Sequence, residues 1–372
     1  MTVVGPNGVI TRGVVTAIKV TSPGAGYTAA PLVSIAPTIS SVTSSPGDGD
    51  GAAATASIDA NGYVNAITVT SGGSGYGGIR KFVDSLPGLT AAGANTFGQY
   101  IQLATADTTT YPGADYYEIG LVEYDQQFHS DLPATTLRGY VQLNDPATQY
   151  QVTRDANGKI TGWPQPHYLG PTIVAQRDVP VRIKFVNLLP TGSGGDLFIP
   201  VDPTVMGAGD GPIQAKDANG NPLVDANGQP VYAQYTQNRA TLHLHGGLTP
   251  WISDGTPHQW TTPANEATAY PKGVSTQNVP DMPATGPGEM TFFYSNQQSA
   301  RLMFYHDHAY GITRLNVYAG EAAGYLLTAK YEQTLVNGGT VPGPNGATVT
   351  VPAETVPTNQ IPLVIQDKTF VP

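Results

Sequence analysis

Along the first eighty residues, apolar and polar positions alternate in short runs that stop at glycine. Residues 13–27 (Gly-Val-Val-Thr-Ala-Ile-Lys-Val-Thr-Ser-Pro-Gly-Ala-Gly-Tyr) return as residues 62–76 (Gly-Tyr-Val-Asn-Ala-Ile-Thr-Val-Thr-Ser-Gly-Gly-Ser-Gly-Tyr), with an offset of 49 and ten of fifteen positions identical. Period-two alternation closed by a Gly-rich turn predicts a strand-and-turn unit in each copy. Residues 32–35 (Leu-Val-Ser-Ile) and 54–58 (Ala-Thr-Ala-Ser-Ile) read as two further short strands. Residues 1–80 are therefore expected to form a small Gly/Ser-rich β-repeat module, a packing or attachment unit without chemistry of its own.

From residue 81 the texture changes. Strand patterns fall at 116–124, 137–143, 172–175 and 179–187, and again at 240–245, 289–294 and 302–306. Between the two groups, residues 190–238 are a long Gly/Pro/Asp-rich insertion. Short strands at this spacing predict an all-β sandwich over 81–330. Residues 331–358 read as a linker, and 361–367 (Ile-Pro-Leu-Val-Ile-Gln-Asp) as the first strand of a further domain, so 331–372 is expected to lead into a larger assembly. Asp-Ala-Asn-Gly occurs four times, starting at Asp59, Asp155, Asp217 and Asp225. No copy continues as a calcium loop, and Asn-Gly at a chain reversal predicts a hairpin turn.

Composition sharpens this picture. With Gly 44 and Pro 32, long helices are hard to place. The net charge of −10, with only 12% charged residues, leaves no basic footprint for a nucleic acid. No run of eighteen apolar residues exists, so no membrane span is expected. No signal peptide is visible at the start, and the absence of Cys fits an extracytoplasmic or secreted protein. It also excludes disulfides and any thiolate-bound copper held by this chain.

Four of the seven histidines form two like patterns: His243-Leu244-His245-Gly246-Gly247 and His306-Asp307-His308. On a strand, side chains two apart share a face, so each pair presents two imidazoles to one side. Imidazole suits copper, zinc, iron and nickel, and four nitrogens favour copper over magnesium or calcium. A buried imidazole costs free energy unless it is satisfied, and a metal satisfies it. His129 and His167 read as surface or structural residues, and His258 as a structural neighbour of the pairs.

The same residues carry a resemblance. The stretch from His243 to Gly247, then Ser253-Asp254-Gly255-Thr256-Pro257-His258-Gln259-Trp260, then residues 305–320 (Tyr-His-Asp-His-Ala-Tyr-Gly-Ile-Thr-Arg-Leu-Asn-Val-Tyr-Ala-Gly) resemble the multicopper oxidase family. The likeness is to its laccase-like branch, which includes bilirubin oxidase and the spore-coat laccases. Gly170-Pro171-Thr172-Ile173 before Val181-Arg182-Ile183 matches that family's first cupredoxin domain, and 361–367 looks like the opening of its second. The resemblance covers about residues 81–372 and implies a cupredoxin-like Greek-key β-sandwich.

It further implies half the ligand set of a trinuclear copper cluster. His243 would bind the type 2 copper, His245 and His306 one type 3 copper, and His308 the other. Asp254 matches an acid that relays protons towards the cluster, and as an alternative it caps the Ser253-Asp254-Gly255 turn. The family's other two His pairs and its thiolate-bound type 1 copper are absent, so the resemblance calls for a second chain carrying the C-terminal cupredoxin domains. The implied activity couples one-electron oxidation of a small reducing substrate to four-electron reduction of dioxygen to water. Two alternatives of other classes stand beside it: a non-catalytic copper-binding or adhesive cupredoxin protein, and a zinc or copper enzyme whose two pairs close a site by dimerisation. Glu321 departs from the branch, which has an apolar residue there.

Overall fold

A computed structural model describes residue 15 and residues 17–35, 48–76 and 82–369. The chain divides into two compact units: Met1–Ser85 with Gln127–Pro133 and Val364–Pro372, and Leu86–Gln126 with Ala134–Leu363.

In the first unit, β1 (Asp48–Ile58) and β2 (Val64–Tyr76) form an antiparallel hairpin. The second repeat copy is thus a strand, as its alternation predicts, but β2 runs on through the Gly-rich end to Tyr76 where a turn was expected, because β1 pairs with it as far as there. The first copy differs. Its residues 13, 14 and 16 lie outside the described set, and the rest of it, like 32–35, is not in a strand. It runs beside β2 through isolated bonds instead, Val15 N to Gly72 O, Val64 N to Pro23 O and Tyr27 N to Gly62 O. These scattered bonds do not amount to a ladder.

The second unit is the sandwich. Its strands are β3 (Asp115–Gln127), β4 (Ala134–Gln142), β5 (Thr153–Arg154), β6 (Ile160–Gly162), β7 (Ile173–Gln176) and β8 (Val181–Asn187). They continue as β9 (Asp210–Gln214), β10 (Tyr232–Gln234), β11 (His243–His245), β12 (Glu289–Tyr294), β13 (Arg301–His306) and β14 (Ala322–Thr328). Two four-stranded sheets result, in the orders β12-β8-β3-β4 and β11-β13-β14-β7. Each contains one parallel pair, β3 with β8 and β14 with β7. One core is filled from both sheets, by Ile119, Ile183, Phe185 and Phe292 on one side and Leu244, Tyr305, Tyr325 and Leu327 on the other. The all-β expectation holds, and the strands at 116–124, 137–143 and 289–294 fall where the alternation puts them.

The insertion is not structureless. It carries the β9–β10 hairpin, and its two Asp-Ala-Asn-Gly copies are turns in which Asp217 and Asp225 accept backbone N–H bonds two and four residues on. Asp59 and Asp155 do the same. This confirms the hairpin reading of all four copies.

Two expectations require correction. The 331–358 linker instead contains α2 (Lys330–Asn337) and the antiparallel hairpin β15 (Gly338–Pro342) with β16 (Thr348–Ala353). The Thr-Val-Thr-Val alternation and the Pro-Asn-Gly turn, with Asn345 at φ 60°, account for the hairpin. Residues 361–367 form no strand, since a strand needs a paired neighbour and none aligns there among the described residues. The stretch after His308 winds into α1 (Thr313–Ala319) and stops at Gly320.

Candidate metal centre

Alternation in β11 and β13 builds the site. Leu242, Leu244 and Tyr305 enter the core, which turns His243, His245 and His306 to the opposite face. The antiparallel ladder sets His243 directly across from His306 and His245 across from Phe304. His308 lies just beyond the ladder's end, and its ring stands 4.7 Å from that of His243. The structure therefore gathers all four predicted histidines. One ring nitrogen from each of His243, His245 and His306 lies within 4.8 Å of the others.

Two of the histidines have one nitrogen tied back, which fixes the free one. His243 Nδ1 donates to the Asp254 carbonyl at 2.6 Å, and His306 Nδ1 to the Asp307 carbonyl at 2.6 Å. Each keeps Nε2 for a ligand, the usual arrangement by which a backbone acceptor sets the tautomer. His245 Nδ1 faces His306 Nε2 at 3.2 Å. Two ligand nitrogens at that separation subtend roughly 105° at an ion about 2.0 Å from each. The donor set therefore fits a single imidazole-ligated ion between them, with His243 and His308 available beside it.

The electrostatics agree. Burial holds His306 down at about 4, with a further push from the three neighbouring histidines. His308 is also lowered, by burial first and then by His243. Both are held neutral, the form that coordinates a metal. Asp254 sits at the edge of the group. Thr249 Oγ1 donates to its Oδ1 at 2.8 Å, and that oxygen stands 3.5 Å from His243 Nδ1. Gly255 explains the close approach: at φ +66°, a Cβ there would lie 1.9 Å from the Leu242 carbonyl oxygen. The turn can thus press its backbone against the start of β11 and bring the Asp254 carbonyl onto His243.

Three neighbours escaped the sequence reading. Phe304, 38% exposed, stacks on His245 at 4.7 Å and on His306 at 5.0 Å. Its signal was its place two residues before His306, on the same face. Asp307, 0% exposed, points the other way. An acid on the core face of a strand is the signal that was available. Burial pushes Asp307 up to about 6 despite three donors and the nearby Arg239. Asn316 of α1 is the third, and it donates to both Asp307 and the Arg239 carbonyl.

The other histidines stand apart from the four. His258 is exposed against Tyr310, His167 packs on Tyr100, and His129 lies 3.6 Å from Asp84. Among the described residues no helix is long and apolar enough to cross a membrane.

Fold and site together define an all-β protein with a cupredoxin-like sandwich that carries paired imidazoles on one sheet face. No protein-family model matches the chain. Curated relatives do. A laccase of Bacillus stratosphericus is 30% identical over 295 residues, 78% of this chain and 38% of that protein. A laccase of Bacillus subtilis (strain 168) is 30% identical over 222 residues, 59% of this chain and 30% of its own length. The multicopper oxidase LPR1 of Arabidopsis thaliana is 28% identical over 252 residues, 68% of this chain and 31% of that protein. A multi-copper oxidase structure from Pediococcus acidilactici shares 16% identity at a TM-score of 0.33, covering 64% of this chain and 30% of that one. The chain is thus a relative of the laccases and multicopper oxidases over most of its length, and it spans about a third of the curated relatives it matches.

Proposed function

We propose that this chain supplies half the ligands of a trinuclear copper cluster in a laccase-like multicopper oxidase. The observation that carries the reading is the four-imidazole group at the end of the β11–β13 ladder, with His245 Nδ1 and His306 Nε2 3.2 Å apart. Bound copper would supply the electron transfer that reduces dioxygen to water at the expense of a small reducing substrate. His243 would hold the type 2 ion through Nε2, His245 and His306 one type 3 ion, and His308 the other.

This chain's own groups do the rest. The Asp254 and Asp307 carbonyls fix the tautomers of His243 and His306, with Nε2 turned outward. Asp254, its carboxylate steadied by Thr249, passes protons towards the cluster, since four are consumed per dioxygen. Phe304 shields the outer faces of His245 and His306 from water. The remaining histidines and the type 1 thiolate belong to a segment outside these 372 residues, which contain no Cys. A second chain bearing the C-terminal domains would provide them, in an extracytoplasmic setting.

The test is copper titration of the 372-residue chain beside four single His→Ala variants at 243, 245, 306 and 308, read by metal analysis of the desalted protein. Each variant is expected to hold less copper than wild type. Full occupancy in His306→Ala removes the assignment. Denaturing mass spectrometry of the natively purified protein checks the partner: a Cys-bearing second chain is expected beside this one.

A further inference from the structure

We infer that Asp307, the residue between the two histidines of the second pair, is a positioning residue that splices the two histidine-bearing segments together where the β-ladder stops. The inference rests on the four-histidine reading and deepens it.

The β11–β13 ladder ends at His243 opposite His306. In the same register Thr241 would face His308. The pairing does not continue there, and Thr241 N donates to Asp307 Oδ1 at 2.9 Å instead. Oδ2 accepts Ala309 N at 3.0 Å and Asn316 Nδ2 at 2.9 Å. One fully buried carboxylate thereby ties the entry to the first histidine pair, the exit from the second, and α1. The backbone of the same residue is engaged as well. Its N–H donates to Glu321 O at 3.1 Å, and its carbonyl accepts from His306 Nδ1.

The consequence falls on His308. With the chain folded back by the Ala309 bond, His308 leaves the strand and its ring comes to 4.7 Å from His243, at 30° between planes. A continued ladder would have set His308 by the strand pleat alone. The carboxylate is suited to the task because it only accepts, and all three groups that face it donate. An amide is not. Whichever way the side chain of Asp307→Asn turns, its NH2 meets Thr241 N or Ala309 N.

The experiment is isothermal titration of Cu(II) into the full chain as wild type, His306→Ala, Asp307→Asn and Asn316→Ala, with Tm and the nitrogen hyperfine pattern of the bound Cu(II). Partners that orient metal ligands are worth about 10–100-fold in affinity. Asp307→Asn is expected to bind copper weaker by about that factor, with an altered hyperfine pattern, while still melting cooperatively. A merely structural residue would lower Tm and leave affinity and hyperfine pattern alone, which overturns the inference. Should Asp307→Asn not fold, Asn316→Ala decides: weaker binding supports the splice, and wild-type binding overturns it. If His306→Ala itself binds as wild type does, the four-histidine reading falls and takes the inference with it. Wild-type binding by Asp307→Asn with loss in His306→Ala rejects the splice alone.

Discussion

Glu321 is where a single residue departs from the family pattern, and the core explains it. Its side chain is 0% exposed, and so is that of Arg138, whose Nη1 stands 3.7 Å from Glu321 Oε1. That separation is too long for a hydrogen bond, and neither carboxyl oxygen has a hydrogen-bond partner. Arg138 spends its donors elsewhere, on Gln237 O at 2.9 Å and Gly195 O at 2.7 Å, tying the long insertion to β4. Glu123 Oε2 lies 3.7 Å from Arg138 Nε on its other side, so Glu321 is the second of two acids set around this buried cation, and an apolar residue at 321 would leave only the first. No local pattern announces a partner so far away in sequence. Such a pair is weak support for stability, because two desolvated charges repay little. Burial, reinforced by Asp307, raises Glu321 well above its ordinary value against the pull of Arg138. The folded chain then keeps a proton that the unfolded chain releases near the ordinary carboxylate value, about 4.3. Wild-type stability therefore falls as pH rises from there towards the raised value, relative to Glu321→Gln, which carries no such proton. Calorimetry of both proteins between pH 4 and pH 8 should show the gap in Tm move steadily in favour of Gln. A gap independent of pH would mean that Glu321 titrates normally.

Among the elements, alternation decides what was legible. β3, β8, β12 and β13 pair on both edges or pack against a full core, so their apolar periods survive in the sequence. The first histidine pair was legible for the same reason, since a period of two on β11 fixes the face, whereas in the second pair only His306 lies on a strand and His308 reaches the group from beyond its end. What was not legible are the elements whose formation depends on a neighbour. α2 and the β15–β16 hairpin carry few buried residues, and 361–367 has a strand's composition without a strand to pair with. The turn behind β11 shows how much the site owes to one such neighbour. Gly255→Ala would put a methyl 1.9 Å from the Leu242 carbonyl oxygen at a φ of +66°. Left-handed strain and overpacking together should cost about 3 kcal/mol. Relief requires the turn to back away from β11, which also withdraws the Asp254 carbonyl from His243 Nδ1. Urea unfolding should show the loss, and the His243 ring signals in long-range nitrogen NMR should lose their fixed tautomer. A loss under 0.5 kcal/mol with the tautomer intact would show that the turn does not press on the strand as described.

For the whole molecule, the four imidazoles come from two distant segments that only the folded sandwich brings together. The unfolded chain offers its two His pairs separately, so an ion that uses both binds the native state in preference. Copper should therefore stabilise the protein as a ligand does, by about 2.7 kcal/mol at a free concentration one hundred times its dissociation constant. The stabilisation should rise with the logarithm of concentration and should not plateau once the site is filled. The size of the effect separates two ways of holding metal. If His243 with His245, or His306 with His308, bound an ion as an isolated pair, the unfolded chain would bind it nearly as well and Tm would scarcely move. If the ion bridges the strands, the increase should be large in wild type and should collapse when either His245 or His306 is replaced by alanine, because those two bring nitrogens within 3.2 Å across the ladder. Thermal unfolding at several copper concentrations, with the two single variants in parallel, distinguishes these cases. An absent increase in wild type would place the metal on one strand, and an unchanged increase in either variant would show that the ion does not use the His245–His306 pair; either result undoes the bridging geometry on which the proposed cluster depends.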